Sequence, residues 1–196
     1  MNAGLCAGSL SSGLHHAKRS HGAGFCTFNG LAIAARRALG AGALSVLIID
    51  LDAHCGGGTA SLLADDPAVA QLDIAVSPFD LYAEGGRFTL DVIDDAANYL
   101  PTLRRRLETL EPAAFDLVLY NAGMDPFERC WIGGLRGMTQ EVLAEREETV
   151  FAWCDANARP VAFVLAGGYA SGDFSQDELV GLHRLTIAAA ARHVPG

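Results

Sequence analysis

One segment of the chain alternates acidic and imidazole side chains with apolar ones. Asp50, Asp52 and His54 follow an apolar run at 46–49 and precede three glycines. In an extended chain alternate residues point to the same side, so these three side chains should project together. Two carboxylates and one imidazole would repel one another or stay solvated unless a cation joined them. Oxygen and nitrogen donors of this kind suit zinc or iron, so the spacing predicts a divalent metal site.

Three other polar segments could bring further groups to this site. They are the pair His15-His16, Asp125 after an apolar run, and Tyr169 after two glycines. Asp125 would complete a set of three protein ligands with Asp52 and His54, leaving positions open for water and substrate. His15 or His16 could act as a base, and Tyr169 could donate a hydrogen bond to a developing oxyanion. Together these groups would suit metal-assisted hydrolysis of an amide.

Each of these features also has an ordinary explanation when it is taken alone. A single Asp at a strand end, such as Asp125, is more often a turn or helix cap. The pair His15-His16 is more often part of a surface loop, and Tyr169 more often packs. Neighbours in a strand point to opposite faces, so Cys55 is interpreted as a buried thiol beside His54 rather than as a ligand.

The elements that must position these residues alternate between strands and helices. Strands are predicted at about 45–52, 72–77, 115–120 and 160–165. Helices are predicted at about 31–39, 59–63, 91–110 with a kink or break at Pro101, 139–157 and 177–193. This order favours a single α/β domain over 1–196, with a doubly wound, mostly parallel sheet and helices on both faces. Residues 1–14 are Gly/Ser-rich and are predicted to be a flexible lead-in.

Composition and charge exclude several classes of protein. With 51% hydrophobic and 19% charged residues, the 196-residue chain is expected to be compact rather than disordered. The net charge of −9 argues against a nucleic-acid surface and would tolerate cationic substrates. No apolar run is long enough to suggest a membrane span. Five cysteines without paired spacing, and an N-terminus without a basic signal region, predict free thiols and a cytoplasmic location.

The motifs resemble those of the histone deacetylase family, which has the arginase/deacetylase fold. They occur in the family's order as Gly13-Leu14-His15-His16-Ala17, Gly24-Phe25-Cys26-x-x-Asn29, Asp50-x-Asp52-x-His54-x-Gly56-x-Gly58, Ala122-Gly123-x-Asp125 and Gly167-Gly168-Tyr169. Each motif alone is weak, but together they spread over most of the chain. The resemblance implies a zinc-dependent deacylase that acts on acetyl-lysine or an acetylated polyamine.

The resemblance also implies a role for each matching residue. The metal ligands would be Asp52, His54 and Asp125. The pair His15 and His16 would activate water and protonate the leaving amine. The remaining roles are polarisation of the acyl carbonyl by Tyr169, a carboxylate partner for His15 in Asp50, and substrate contacts at Gly24, Phe25 and Gly167. A structural monovalent cation such as potassium would lie near Asp50, Asp52, His54 and Ser77.

Three departures from the family pattern change these expectations. Gly57 replaces an aspartate that hydrogen-bonds the second histidine in many members, so His16 is expected to lack a carboxylate partner. Gly30 also replaces a common aspartate. Only fourteen residues precede the paired histidines, where the family has a long N-terminal portion. A sheet truncated in this way would expose an apolar edge and face, so a partner chain or self-association as a homo-oligomer is expected.

Three functional hypotheses follow from these observations. The first is the zinc-dependent deacylase described above. The second is a truncated, catalytically weak or inactive module that binds metal and an acylated ligand or a partner subunit. The third is an arginase-like hydrolase with two metals, which would require more carboxylates and histidines at the strand ends than this chain supplies.

Overall fold

The computed structural model of the chain describes residues 5–193 and contains a six-stranded sheet. Its strands are β1 Cys6–Ser9, β2 Val46–Asp50, β3 Val69–Ala75, β4 Phe88–Val92, β5 Leu117–Ala122 and β6 Val161–Leu165. They lie in the order β1-β6-β5-β2-β3-β4, and every pairing in this sheet is parallel. The predicted α/β class with a mostly parallel sheet is confirmed.

Five α-helices accompany the sheet. They are α1 Gly30–Gly40, α2 Gly57–Leu63, α3 Tyr99–Thr109, α4 Gln140–Ala156 and α5 Gln176–Arg192, with short 3-10 turns at Ala96–Asn98 and Pro112–Ala114. Residues of α3, α4 and α5 pack on one face of the sheet, whereas those of α1 and α2 pack on the other. The sheet is therefore doubly wound. Among the helices of 5–193, none has both the length and the apolar character needed to cross a membrane.

The central strand β2 is buried on both of its faces. Leu47 and Ile49 contribute to the core beneath α3, α4 and α5, and Val46 and Ile48 contribute to the core beneath α1 and α2. Each such side chain contributes roughly 1.5–3 kcal/mol when it is fully buried. A continuous apolar run is what a central parallel strand requires, because neither face meets water.

The order of the strands reverses between β2 and β5. From β2 the chain winds outward through β3 to β4, whereas from β5 it winds in the other direction to β6. In open α/β sheets such a reversal opens a crevice at the carboxyl ends of the two strands. The last residue of β2, Asp50, is in register with Asn121 of β5. Residues that follow these two strands are therefore delivered to the same crevice.

Two local predictions are wrong. Part of the predicted lead-in 1–14 forms β1, in which Cys6 pairs with Val161. The backbone of Gly8 packs directly against the Phe163 ring. Residues 1–4 lie outside the described residues. The predicted helix 91–110 begins only at Tyr99, because β4 continues to Val92 and the residues directly before α3 form the 3-10 turn Ala96–Asn98. Pro101 lies in the first turn of α3, where a missing amide hydrogen breaks no helical hydrogen bond, so no kink is needed.

A buried ion pair connects α4 to the end of β2. Arg146 and Glu147 have no exposed side-chain surface. The Arg146 Nε donates to Glu147 Oε1 at 2.7 Å, and its Nη1 donates to the Leu51 carbonyl oxygen at 3.0 Å. The Tyr120 hydroxyl also donates to Glu147 Oε1, at 2.7 Å. Through its hydrogen bond to the Leu51 carbonyl oxygen, Arg146 thus fixes the backbone between Asp50 and Asp52.

Replacement of Arg146 by Met is expected to lower the free energy of unfolding by about 3–5 kcal/mol, because Glu147 would remain buried without its cation. Urea denaturation followed by circular dichroism measures this change. The matched control is Arg146→Met combined with Glu147→Leu, which removes both charges and should recover part of the loss. A single variant as stable as the parent protein would show that the pair does not stabilise the fold.

Candidate metal and active site

The three predicted metal ligands lie together in the crevice. Asp52 and His54 follow β2, and Asp125 follows β5. One ligand atom from each of these residues lies within 4.8 Å of the others, and all three residues are buried. His54 Nδ1 is 3.1 Å from Asp52 Oδ1 and 3.1 Å from Asp125 Oδ2. The spacing Asp-x-Asp-x-His and the distant Asp125 therefore converge as the sequence predicts.

Backbone groups hold the two carboxylates in place. Asp125 Oδ1 accepts a hydrogen bond from the Ala53 N–H at 2.9 Å, and Asp52 Oδ2 accepts one from the Gly167 N–H at 3.0 Å. A Cβ atom at Gly167 would lie 2.3 Å from Asp125 Oδ2, so only glycine allows this approach. Gly167, predicted to contact substrate, therefore shapes the metal site itself.

The cluster of Asp52, His54 and Asp125 holds two carboxylates against one imidazole, and this excess of acidic groups suits a divalent cation. Burial and the neighbouring Asp52 raise the pKa of Asp125 to about 7. Burial opposes the charged form of His54, but hydrogen bonds and charges from Asp125 and Asp52 raise its pKa to about 9. A single imidazole nitrogen faces two carboxylate oxygens, and within residues 5–193 Asp125 Oδ2 has no hydrogen-bond partner of good geometry. A divalent ion would satisfy both carboxylates, so the three residues fit one.

His15 is held by a carboxylate on each side of its ring. Its Nδ1 is 2.7 Å from Asp50 Oδ2, and its Nε2 is 3.4 Å from Asp52 Oδ1. Burial opposes protonation, but the charges of Asp50 and Asp52 raise the pKa of His15 well above its ordinary value. Asn121 Nδ2 donates to Asp50 Oδ1 at 2.8 Å and fixes that carboxylate. Asp50 therefore partners His15 as predicted, and the sequence analysis missed the supporting role of Asn121.

His16 has a carboxylate partner after all. Its Nδ1 lies 3.0 Å from Oδ2 of Asp80, a residue in the turn after β3. The expectation that Gly57 leaves His16 without such a partner is therefore wrong. Burial lowers the pKa of His16, and the hydrogen bond to Asp80 opposes this shift. Sequence analysis missed Asp80 because it lies 64 residues from His16, in a turn without a recognisable motif.

Two adjoining cavities, each of about 290 Å³, open onto these side chains. His16, Gly24, Phe25 and Tyr169 line both of them. Gly24 has a φ of +48°, and a Cβ atom there would lie 2.2 Å from the His16 ring. The predicted pocket residues Gly24 and Phe25 thus form the wall of the cavity. The Tyr169 ring lies near Phe25, with 6.0 Å between the ring centroids.

The predicted monovalent cation site stays a prediction. His54 and Ser77 are joined as an isolated parallel bridge, and the Ser77 N–H donates to the Ala53 carbonyl at 2.8 Å. The Ser77 hydroxyl lies 3.5 Å from the Phe79 amide. Ser77 is therefore close to the ends of β2 and β3, but both carboxylate oxygens of Asp50 already have protein partners.

A second group of possible ligands bears on the arginase-like hypothesis. Ligand atoms of His15, His16 and Asp52 also lie within 4.8 Å of one another. Each of these histidines places its Nδ1 against a carboxylate, Asp50 for His15 and Asp80 for His16. Such a pairing suits an acid or base at least as well as a ligand, and the group shares its only carboxylate with the first set.

The protein is thus a parallel α/β protein in which Asp52, His54 and Asp125 form a candidate metal-binding group. Two histidines, each paired with a carboxylate, lie beside this group. Its sequence matches the histone deacetylase domain over residues 2–180. The chain belongs to the histone deacetylase family.

Three comparisons describe its similarity to other members. An uncharacterized protein of Picosynechococcus is 38% identical over 92% of this chain and 60% of its own length. Histone deacetylase 2 of Arabidopsis thaliana is 32% identical over 82% of this chain and 43% of its own length. The crystal structure of acetylpolyamine aminohydrolase from Burkholderia pseudomallei superposes with a TM-score of 0.78 at 21% identity, over 95% of this chain and 56% of that one. This chain therefore spans only about half the length of these proteins.

The metal-free protein is expected to bind one divalent metal ion per chain and to gain stability from it. Saturation at 100 times the dissociation constant would add about 2.7 kcal/mol to the free energy of unfolding. Asp125→Asn should abolish this gain, whereas the exposed Asp94→Asn should retain it. Metal analysis and thermal melts measure both effects. Two ions per chain would instead favour the arginase-like alternative, and no stabilisation by any divalent ion would contradict the site.

Proposed function

We propose that this chain is the catalytic part of a zinc-dependent deacylase that hydrolyses the amide of an acetylated lysine or acetylated polyamine. One observation carries the proposal: Asp52, His54 and Asp125 converge beside His15 and His16, and Asp52 and both of these histidines line a cavity. The relatives named histone deacetylase and acetylpolyamine aminohydrolase support an acylated amine as the substrate class.

The ion would be held by Asp52, His54 and Asp125. When bound, zinc supplies a Lewis acid that polarises the amide carbonyl and lowers the pKa of water at the site. Zinc suits a set of one imidazole and two carboxylates, and iron would fit the same donors. A structural potassium ion near Asp50 and Ser77 remains part of the proposal.

Burial opposes protonation of His15, but without an ion the charges of Asp50 and Asp52 raise its pKa. An ion held by Asp52 would offset one of these two charges, and His15 is then placed to accept the proton of the attacking water. Its Nδ1 is held by Asp50, so its Nε2 is the nitrogen that faces the ligand Asp52. As the water oxygen bonds to the carbonyl carbon, Nε2 takes up the proton that the water loses. The Asp50 carboxylate holds the His15 ring in its orientation and stabilises the imidazolium that forms.

His16 and Tyr169 act on the two ends of the bond that breaks. The proton that His15 takes from water passes to the amine nitrogen by way of His16 Nε2, since the two rings lie 4.0 Å apart between centroids. The carbon–nitrogen bond breaks as the nitrogen is protonated, which yields acetate and a free amine. Burial and the charges of Asp125 and Asp52 raise the pKa of Tyr169, so its hydroxyl stays protonated. The Tyr169 hydroxyl can therefore donate a hydrogen bond to the oxyanion that forms on the acyl carbon.

The pocket suits the apolar chain of an acylated amine. Phe25, Phe79 and Ile132 line one of the two cavities together with His16 and His54. Apolar walls accept the methylene groups of lysine or a polyamine, whereas the polar floor accepts the amide. The net charge of −9 favours a substrate that carries a second, cationic amine.

A separate apolar surface favours a partner as well. A groove of about 420 Å³ runs between β1, β6 and α1, with Phe28, Leu31 and Val164 among its lining. We propose that a second copy of the chain or a partner chain covers it, as an apolar face of this kind requires. The alternative function, a binding module that keeps metal and ligand without turnover, uses the same surface. The five free cysteines agree with the cytoplasmic location that we propose.

Release of acetate from acetyl-lysine peptides and acetylpolyamines tests the deacylase proposal. His15→Ala is expected to lower kcat by about 100- to 10,000-fold, because proton transfer to a positioned base is lost. Tyr169→Phe should lower kcat by about 100- to 1,000-fold, because one oxyanion donor is lost. Both variants should still bind zinc, which serves as their control. Stoichiometric zinc without turnover in the parent chain would favour the binding module, and turnover that survives both substitutions would refute the mechanism.

Self-association through the groove is expected to appear in light scattering after size exclusion. Phe28 is 59% exposed and belongs to this surface, so Phe28→Asp should shift a dimer towards the monomer. Val180→Asp, on a residue that is 48% exposed and does not line the groove, makes the same change of charge and should leave the dimer intact. A parent chain that is monomeric at high concentration would contradict self-association and leave a different partner chain as the occupant.

A further inference from the structure

Asp80 has a backbone conformation that needs a specific reason. It lies in the turn after β3 with a φ of +62°, in the left-handed region that non-glycine residues seldom adopt. Its side chain is only 5% exposed, although an aspartate in a turn ordinarily reaches solvent. A strained backbone that buries a carboxylate points to a function for that carboxylate.

The carboxylate of Asp80 is fully occupied by donors. Oδ2 accepts from His16 Nδ1 at 3.0 Å and from the Gly58 N–H at 2.9 Å. Oδ1 lies 2.7 Å from the Lys18 ammonium. Burial opposes the charged form of Asp80, but the hydrogen bonds and charges of His16 and Lys18 leave its pKa below the ordinary value. Asp80 therefore presents a fixed negative charge to His16.

Gly57 and Asp80 depend on each other. A Cβ atom at Gly57 would lie 2.1 Å from the backbone oxygen of Asp80 and 2.7 Å from its Oδ1. A backbone oxygen cannot move away by a change of rotamer, so any side chain at position 57 would displace the turn. The Asp80 carboxylate can therefore reach His16 only because position 57 is a glycine.

We propose that Asp80 is the positioning residue of His16. From the turn after β3, Asp80 replaces the aspartate that many family members carry at the position of Gly57. This inference rests on the proposed deacylase function. Asp80 accepts the Nδ1 proton of His16, which fixes the ring orientation and directs Nε2 towards the cavity. The two histidines then have separate carboxylates, Asp50 for His15 and Asp80 for His16.

A purely structural role for Asp80 must be distinguished from this one. The same turn carries Phe79, whose ring lies edge-on to His16 at 4.9 Å and to His54 at 5.9 Å between centroids. Loss of Asp80 could therefore displace Phe79 and narrow the pocket. A displaced Phe79 would weaken substrate binding and raise KM, whereas a misoriented His16 would slow proton transfer and lower kcat.

The sharpest comparison removes the charge of Asp80 and keeps its shape. In Asp80→Asn the remaining oxygen can still accept from Gly58 and His16, but the new amide would face the Lys18 ammonium. Lys18→Met is therefore the reference protein, and Lys18→Met combined with Asp80→Asn is the test. We expect kcat to fall by about 10- to 100-fold relative to the reference, with KM and melting temperature unchanged. Asp94→Asn, on an exposed residue, controls for the loss of one carboxylate.

A spectroscopic measurement keeps the test independent of turnover. Nitrogen NMR of histidine-labelled protein, with His16 assigned from the signals lost in His16→Gln, reports which ring nitrogen holds the proton. We expect the Nδ1–H form in the reference protein and a mixture of forms in the Asp80→Asn protein. Gly57→Ala, which adds only one Cβ against the Asp80 carbonyl, should also lower kcat and shift the His16 signals.

The outcomes separate the two proposals. A change in the His16 signals without turnover in any protein would support the pairing and refute the deacylase. A fall in melting temperature and a rise in KM, with the His16 signals unchanged, would overturn the positioning role. Unchanged kcat in the Asp80→Asn test protein would overturn it as well.

Discussion

The site depends on two buried carboxylates held close to one imidazole. Asp52 and Asp125 both approach His54 Nδ1 at 3.1 Å, although one nitrogen cannot satisfy both oxygens. Buried charges of like sign are tolerated only when a cation or hydrogen bonds compensate them. The strand order supplies this geometry, because β2 and β5 are adjacent at the point where the winding reverses. The hydrogen bonds from Ala53 and Gly167 support these carboxylates, and Asp50 and Asp80 orient the histidines beside them.

The two histidines show how one requirement is met by different routes. His15 takes its carboxylate from Asp50, the last residue of the central strand, and Asn121 of the neighbouring strand fixes that carboxylate. His16 takes its carboxylate from a turn, at the cost of a left-handed backbone at Asp80. A strand end is a rigid support. A turn needs additional contacts, and here Lys18 and Gly58 provide them.

The parts of the structure that depend on local pattern could be predicted from the sequence. The buried run of β2, its Asp-x-Asp-x-His end and the delivery of Asp125 to the same edge follow from periodicity and from the rule for parallel sheets. The partners Asp80, Asn121 and Arg146 could not be predicted, since each acts across a fold whose register the sequence does not reveal. Strand β1 was missed for the same reason: its short Gly/Ser-rich stretch extends only because β6 pairs with it.

The pairing of β1 with β6 has a consequence for how the chain reaches its native state. The first and last strands of the described residues are neighbours, so this edge of the sheet closes only after residue 165 is available. Pairing across so long a sequence separation makes the transition state costly in loop entropy and slows folding. Until β6 joins them, the edges of β1 and β5 stay open to pairing with strands of other chains.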